Sequence, residues 1–359
     1  MKRINKRLLA TAVAAALALP TAAFATNGYF AHGYGTKNKG LGGAGVALPQ
    51  DSLAAATNPA GMVWVGDRMD LGAGVFSPQR EYTASNVPPA APPAFEVPPG
   101  TVESDSEYFL IPHFGRNWML DADSSVGISV YGNGGMNTDY PNIAVPGGHC
   151  GPGTGTFCAG AAGVDLMQLF VNATYSRKIN DKSSWGASAI VAYQRFKATG
   201  LGAFTGFSTD GANMTDRGYD DSMGYGFKLG YQGEVAPGLT LGASYQSEME
   251  MDEFGDYAGL FAEQGGFNIP ATWTIGLAYD MADSGTVVFD IQKIMYSDIN
   301  SIANPLIPNI QTAQLGDSDG AGFGWEDITV YKLGYQWSTS ADWTWRVGYN
   351  LSLIHISEP

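Results

Sequence analysis

The residues of this chain whose types could do chemistry are few, and they do not form a catalytic set. Nucleophilic catalysis needs a serine or cysteine beside a histidine that a third group orients. Three of the four histidines, His113, His149 and His355, follow residue 66, and none accompanies a nucleophile motif. The sequence therefore predicts no enzyme, no cofactor and no metal centre.

The two cysteines, Cys150 and Cys158, lie close together in a Gly- and Pro-rich stretch. A metal site would need more ligands than the neighbouring His149 supplies. In an oxidising, exported compartment, a disulfide that closes this short loop is the simpler interpretation. We therefore predict a Cys150–Cys158 disulfide.

Three cations, Lys228, Lys332 and Arg346, lie on the polar face of segments that alternate between polar and apolar residues. A buried cation could bind the carboxylate of an otherwise apolar ligand. Asp70, Asp280 and Asp290 lie on the same face by parity, so internal ion pairing that braces the fold is the alternative interpretation.

The first 25 residues predict export. Basic residues at 2–7 precede an apolar stretch at 8–19, and Ala-Phe-Ala at 23–25 is a small-x-small cleavage pattern. The apolar stretch is shorter than the ~20 residues that a spanning helix needs. We expect residues 1–25 to be a cleaved signal peptide; an uncleaved anchor is the alternative.

The composition favours an outer-membrane β-barrel. Charged residues make up 15% of the chain, against about 25% in an ordinary soluble domain. Glycine is abundant and aromatic residues reach 12%, yet no apolar helix is visible after the signal peptide. The net charge of −15 makes nucleic acid an improbable partner. A soluble secreted β-protein is the competing class.

From Arg68 onward, runs of roughly ten residues alternate between two faces, as barrel strands do. One face is apolar with aromatic ends, and the other is small or polar. We predict eleven strands, at about 68–76, 106–117, 124–132, 165–178, 184–197, 222–235, 238–248, 270–280, 285–297, 326–338 and 341–352.

The connections between these strands alternate in length. Those after odd-numbered strands are long (77–105, 133–164, 198–221, 249–269 and 298–325), whereas those after even-numbered strands are tight turns. Outer-membrane barrels have long extracellular loops and short periplasmic turns, with an even number of strands. An odd count would leave a strand edge unpaired in hydrocarbon, which is costly. We therefore expect 67–352 to be an incomplete barrel and 353–359 an aberrant tail.

Residues 26–66 have neither a strand period nor the length of a stable helix, and we predict that they form a hatch that plugs the barrel. Gly42, Gly43 and Gly45 allow irregular backbone inside a narrow lumen. Asn58-Pro59-Ala60 adds a fixed turn; the alternative is that it only ends a short helix begun near Asp51.

Apolar hatch residues could line a ligand pocket together with the three cations. The candidates are Phe30, Leu41, Leu53, Met62 and Trp64. Plain packing between hatch and wall is the alternative for each of them. Phe157, Phe204, Phe207 and Met214 in the long loops could form an apolar landing groove, or could equally be loop packing.

The segments 26–30, 41–46 and 58–60 resemble the start of the outer-membrane long-chain fatty acid transporter family (FadL/TodX type), and 132–141 is similar to its third-strand region. The resemblance implies a 14-stranded barrel, an N-terminal hatch, and passive uptake of long-chain fatty acids or aromatic hydrocarbons. It also implies a kinked third strand beside a lateral exit. Three strands of that barrel would then be absent here.

Glycines and one proline indicate where such a lateral opening would lie. Gly132, Gly134 and Gly135 weaken pairing at the end of the third strand, and Pro112 removes a ladder donor from the second. The alternative is that these glycines simply begin the long loop.

We therefore expect a monomeric transport protein of the Gram-negative cell outer membrane that takes up hydrophobic small molecules, fatty acids first and aromatic hydrocarbons second. Its partners would be the substrate, outer-membrane lipid and lipopolysaccharide. A general porin is the less favoured alternative, because forty residues before the first strand suit a plug. A barrel enzyme or an adhesin has still less support.

Overall fold

The computed structural model describes residues 27–84, 97, 99–144 and 152–353. The predicted signal peptide, Cys150 and residues 354–359 of the predicted tail lie outside these ranges.

One antiparallel sheet contains eleven strands in a continuous path, each paired with the next wall strand along the chain. These wall strands are β1 Arg68–Phe76, β4 Phe109–Met119, β5 Ser124–Tyr140, β6 Ala162–Asn180, β7 Ser183–Thr199, β8 Asp220–Ala236, β9 Leu239–Gln246, β11 Thr272–Asp280, β12 Thr286–Ile294, β13 Ile328–Ser338 and β14 Thr344–Leu353. This confirms the predicted all-β fold and its eleven strands.

Within the described residues, three further strands lie in the long connections. β2 (Glu81–Ala84) and β3 (Gly100–Glu103) form a separate hairpin, and β10 (Glu250–Met251) pairs with β8. The connections alternate as predicted, because those at 120–123, 181–182, 237–238 and 281–285 are turns whereas 77–108, 200–219, 247–271 and 295–327 are long.

Period-two alternation builds the wall because successive side chains of a strand point to opposite faces. On β8, Leu229 and Tyr231 are exposed on the outer face, whereas Lys228 and Gln232 are buried on the inner face. Trp185 at the start of β7 is also exposed outside. An apolar outer face with aromatic strand ends fits a wall that meets lipid.

The bounds of the third wall strand were predicted wrongly. β5 continues from Ser124 to Tyr140, whereas the sequence suggested an end at Gly132. The register shifts between Gly132 and Gly134, and pairing with β6 then resumes as far as Tyr140. A bulge absorbs the extra residue without ending the strand, so the following loop is shorter than predicted.

The helices are short. The α-helices are α1 Gly35–Gly40, α2 Ala54–Thr57, α3 Ala262–Gly265, α4 Asn300–Ala303 and α5 Asn309–Thr312, and 3₁₀ helices occupy Pro59–Trp64, Gly202–Phe207, Gly255–Tyr257, Ala282–Ser284 and Tyr296–Asp298. Among the described residues, no helix has the length and apolar character needed to cross a membrane.

The path of the sheet begins at β1 and ends at β14, and in the described residues these two strands do not pair with each other. The short helix α1 contacts the inner faces of both. The main core lies where the long connections meet the wall interior and the first hatch residues, and it is rich in aromatic rings such as Phe196, Phe254 and Phe267.

Candidate functional site

Residues 27–66 lie within the curve of the sheet and are largely buried. Two parts are held differently: the hatch tip, residues 27–31, and the hatch seat, residues 41–64. Leu41, Val46 and Ala60 of the seat are fully buried, as are Tyr29 and Phe30 of the tip. The chain thus folds this segment against the inner wall.

Glycines on the inner wall make room for the hatch seat. A Cβ added at Gly230 would overlap the Asn58 side chain, and one at Gly242 would overlap the Val46 carbonyl. At Gly186 it would approach the Pro59 carbonyl to 2.5 Å. Gly186 stands directly opposite Gly230 in the ladder. The wall is therefore shaped to the backbone of the seat.

A second glycine pair serves the other side of the seat. Gly334 and Gly348 are cross-strand partners on β13 and β14. A Cβ at either position would collide with the backbone or side chain around Leu41 and Gly42. Sequence reasoning missed these wall glycines; their signal was a small residue on the inner face at one level of several strands.

Asn58 joins the seat to itself and to the wall. Its Nδ2 donates to the Val46 carbonyl at 2.7 Å and to the Tyr231 carbonyl on β8 at 3.0 Å. Its Oδ1 accepts from the Ala60 amide at 3.0 Å. Asn58 ends α2 and caps the 3₁₀ helix that Pro59 begins, so the motif both ends a helix and anchors the seat.

Wall side chains reach the seat from further strands. The carboxylate of Asp290 on β12 accepts from the amides of Gly45 and Val46 at 2.7 and 3.0 Å. Ser184 on β7 donates to the Ala60 carbonyl at 2.7 Å. Asp70, in turn, accepts from the amide and hydroxyl of Ser52. Buried backbone groups need such partners.

Gly42, Gly43 and Gly45 turn the chain at the start of the seat, just after α1. All three have positive φ, at 65°, 82° and 150°, a region that side chains other than glycine seldom adopt. A Cβ at Gly43 would also overlap the His32 carbonyl. The predicted glycine cluster is thus a set of tight turns.

The wall has a gap in its ladder beside the hatch tip. β4 pairs with β5 only from His113–Tyr131 to Met119–Ser125, so in the described structure residues 109–112 pair with β1 alone. After Tyr131, the remainder of β5 is hydrogen-bonded to β6 on one side and to the hatch tip on the other. The Ala31 amide donates to the Asn133 carbonyl, and the Gly135 amide to the Tyr29 carbonyl, both at 2.9 Å.

The glycines at this gap are needed for space. A Cβ at Gly134 would overlap the Tyr29 carbonyl, and one at Gly135 the Leu166 carbonyl. One at Gly132 would press on Ile111 at 3.0 Å. Pro112, opposite Ala73 on β1, carries no N–H that could pair toward β5. The four residues predicted for the opening therefore surround one gap.

A small cavity lies between the hatch and β8–β13. Its lining includes Phe30, Tyr34, Lys228, Asp290 and Lys332. Lys228 Nζ donates to the Ala56 carbonyl, and Lys332 is the ladder partner of Asp290. The cavity volume is about 20 Å³, which is enough for roughly one or two water molecules.

The other predicted pocket residues lie elsewhere. Leu41 packs against the inner wall at Gly334, and Leu53 and Met62 against Gly35 and Gly127. Trp64 donates its indole N–H to Ser184 at 2.7 Å, and Arg346 donates to Gln50 at 3.0 Å. The cavity lining brings together Phe30, Lys228 and Lys332 and leaves out these five, because the close fit between hatch and wall takes up their side chains.

A family model described as outer membrane protein transport protein (OMPP1/FadL/TodX) matches residues 11–353. The chain belongs to this family. It is therefore an outer-membrane transport protein, and the resemblance noted in its N-terminal motifs is confirmed.

Solved structures of this family share the fold. The toluene transporter TbuX of Ralstonia pickettii aligns with a TM-score of 0.64 at 17% identity, covering 90% of this chain and 87% of that chain. TodX of P. putida gives 0.63 at 18%, covering 90% and 84%. A FadL homologue of Pseudomonas aeruginosa gives 0.60 at 15%, covering 91% and 82%. No curated protein sequence matches.

In this family member, the tip sits in a cluster of aromatic rings. The ring of Tyr29 lies 5.2 Å from that of Tyr296, 5.9 Å from Phe267 and 6.3 Å from Trp325. The Tyr296 hydroxyl donates to the Asn27 carbonyl at 2.8 Å. Burial raises the pKa of Tyr29, so its phenol stays neutral and packs as part of the ring cluster.

The four residues predicted for a landing groove lie in different surroundings. Met214 is fully buried against Leu315 and therefore cannot face a ligand from outside. Phe157 and Phe204 contact each other edge to face at 5.3 Å. Phe207 borders a surface depression that residues 310–314 complete. Cys158 is disulfide-bonded; its predicted partner, Cys150, lies outside the described residues.

Proposed function

We propose that this protein takes up hydrophobic molecules passively through the outer membrane, with long-chain fatty acids as its first substrate class. The charged residues that line the cavity between the hatch and the wall support this substrate class. Lys228 and Lys332 line it, and Asp290 is the one acidic residue among its described lining residues. A ligand that brings its own carboxylate would balance the second lysine, whereas a hydrocarbon would not.

Aromatic hydrocarbons are the second candidate. The rings of Tyr29 and Phe30 in the tip pack with those of Tyr296 and Trp325, and aromatic ligands pack favourably against such rings. TbuX and TodX, which share the fold, are toluene transporters. These observations support an aromatic substrate without the need for a charge partner.

The route that we propose passes the hatch tip and leaves through the wall gap. The cavity has room for only about one or two water molecules. A larger ligand can therefore pass only if the hatch moves. The tip is joined to β5 by two backbone hydrogen bonds, each worth about 1 kcal/mol net. Its withdrawal would uncover the gap between β4 and β5, and the ligand would then enter the membrane sideways.

A general porin is disfavoured because the hatch occupies the space that an aqueous pore would need. Leu41, Val46 and Ala60 have no exposed surface, and wall glycines fit against their backbone. Small hydrophilic solutes would meet a packed interior.

Uptake in cells that lack their own transporter tests the proposal. Cells expressing this protein should accumulate labelled long-chain fatty acid faster than vector controls, and faster than a toluene-like substrate. If neither compound enters while small sugars diffuse freely, the porin explanation replaces ours.

Lys228→Met separates the two substrate classes. Loss of a charge-assisted hydrogen bond should lower fatty acid uptake about tenfold or more and leave toluene uptake within about twofold. Lys293→Met, at an outer-face lysine paired with Asp327 at 2.8 Å, is the matched control. An equal loss for both substrates would reject the carboxylate role of Lys228.

A further inference from the structure

Polar side chains form a continuous hydrogen-bonded chain across the inner face of the wall. Tyr34 of the hatch donates to Asn133 Oδ1 at 3.0 Å. Asn133 Nδ2 donates to Gln168 Oε1 at 3.0 Å, and Gln168 Nε2 to Gln194 Oε1 at 3.2 Å. Gln194 Nε2 then donates to the Phe267 carbonyl at 2.8 Å. The chain crosses β5, β6 and β7.

Each amide in this chain depends on its neighbours. Asn133 and Gln194 have no exposed surface, and Gln168 is 3% exposed. Water therefore does not reach them. Leaving one of these buried amides without a partner lowers the equilibrium constant for the closed, hydrogen-bonded arrangement by about five- to a hundredfold. Breaking one hydrogen bond of the chain therefore weakens the next one.

Two members of this hydrogen-bonded chain, Asn133 and Phe267, lie in different parts of the protein. Asn133 is the bulge residue of β5, and its carbonyl accepts the Ala31 amide of the hatch tip. Phe267 belongs to the long connection 247–271, and its ring packs against Tyr29 at 5.9 Å. Asn133 thus lies at the wall gap, and Phe267 lies in a long connection that packs on the hatch tip.

We propose that Asn133, Gln168 and Gln194 are positioning residues that couple the connection carrying Phe267 to the wall gap. The idea rests on the proposed lateral route. Displacement of Phe267 removes the nearer acceptor of Gln194 and leaves only the longer contact with Ser222 Oγ, at 3.4 Å. Gln194 then shifts toward Ser222, its hydrogen bond with Gln168 weakens, and Asn133 is released. The bulge then loses its inner anchor, and the tip comes away from β5. A ligand that enters among the outer connections would open the gap from a distance.

Hydrogen exchange of the tip tests this coupling without reference to transport. In the intact protein, the amides of Ala31 and Gly135 should be protected, because they join the tip to β5. Gln194→Leu and Gln168→Leu should accelerate their exchange about tenfold or more, since each leaves a buried amide unpartnered. The double variant should add little, because the same chain is already broken.

Gln232→Leu is the matched control. Gln232 is a buried inner-face glutamine on β8, and its Oε1 has no partner in the described structure. Its loss should leave exchange at Ala31 and Gly135 within about twofold, as for an independent site. Equal rates in all three single variants, or unchanged rates in the two chain variants, would overturn the proposal.

Uptake measurements keep the two ideas distinguishable. If the unaltered protein transports no hydrophobic compound, the proposed function fails, and the exchange result still decides the coupling. If it transports normally and the chain variants match Gln232→Leu in both assays, only the coupling fails. Should a leucine variant not assemble, Gln168→Met and Gln194→Met, which preserve chain length, answer the same question.

Discussion

The hatch tip and the hatch seat lie inside the same wall, are equally buried, and are held by different means. The seat is fixed by wall side chains such as Asp290 and Ser184 and by glycines that fit its backbone. The tip has two backbone hydrogen bonds to β5. In the connection that follows β12, the Tyr296 hydroxyl also donates to the Asn27 carbonyl and accepts from the Tyr29 amide, amid packed aromatic rings. The difference indicates a plug that is anchored at one end and can be released at the other.

Substitutions that add volume should have different effects in the seat and at the tip. Overpacking in the seat strains several strands at once, because glycines on several strands lie in close contact with hatch atoms. Overpacking at the tip separates only the tip from the β5 bulge. Substitutions at matched glycines can therefore separate anchoring from gating.

The largest effect is expected in the seat. Gly230→Ala places a methyl group on the Asn58 side chain, and overpacking of this kind costs about 1–3 kcal/mol or more. The unfolding temperature should fall clearly. Gly255→Ala, at a position where an added Cβ would meet nothing within 4 Å, is the control. If both variants melt together, the seat is not tightly fitted.

A smaller effect on stability, with a visible effect on gating, is expected at the tip. Gly134→Ala pushes against the Tyr29 carbonyl and should displace the tip, at a cost of about 1 kcal/mol for the weakened hydrogen bonds. Basal uptake should rise whereas Gly230→Ala lowers the amount of folded protein. If Gly134→Ala lowers the unfolding temperature as much as Gly230→Ala does, the tip and the seat are not held differently.

The smallest effect concerns acid pH. Burial lowers the pKa of His32 between tip and seat, and Lys332 and Lys39 add to the shift. His32 is therefore neutral in the fold and takes up a proton more readily when unfolded. Its stabilisation is present above its ordinary pKa of 6.5 and is lost as pH falls below it. Melting at pH 7.5 and pH 5 should show a smaller acid loss for His32→Gln than for the unaltered protein.

Much of the wall could be predicted from sequence, since a period of two fixes which residues face outward. β1 was placed at 68–76, as observed, and the alternation of loops and turns was correct. β5 was cut short at Gly132, because glycines that end a strand and glycines that form a bulge look alike in sequence. Only the pairing partner on β6 distinguishes them.

The interior was less accessible to sequence reasoning. Parity placed Lys228 and Asp290 inside correctly, but it could not show that Lys228 donates to Ala56 or that Asp290 accepts hatch amides. These contacts join residues from distant parts of the chain. The amide chain through Gln168 and Gln194 was likewise invisible, because each glutamine alone reads as one more polar residue on the inner face.

Ionic conductance tests the central claim most directly, namely that the hatch closes an otherwise open lumen. The intact protein and a variant lacking residues 26–65 would be compared in the same planar bilayers. We predict that the intact protein conducts little and that the deletion gives large, steady currents. Equal conductance in the two proteins would contradict the assignment of this segment as the plug.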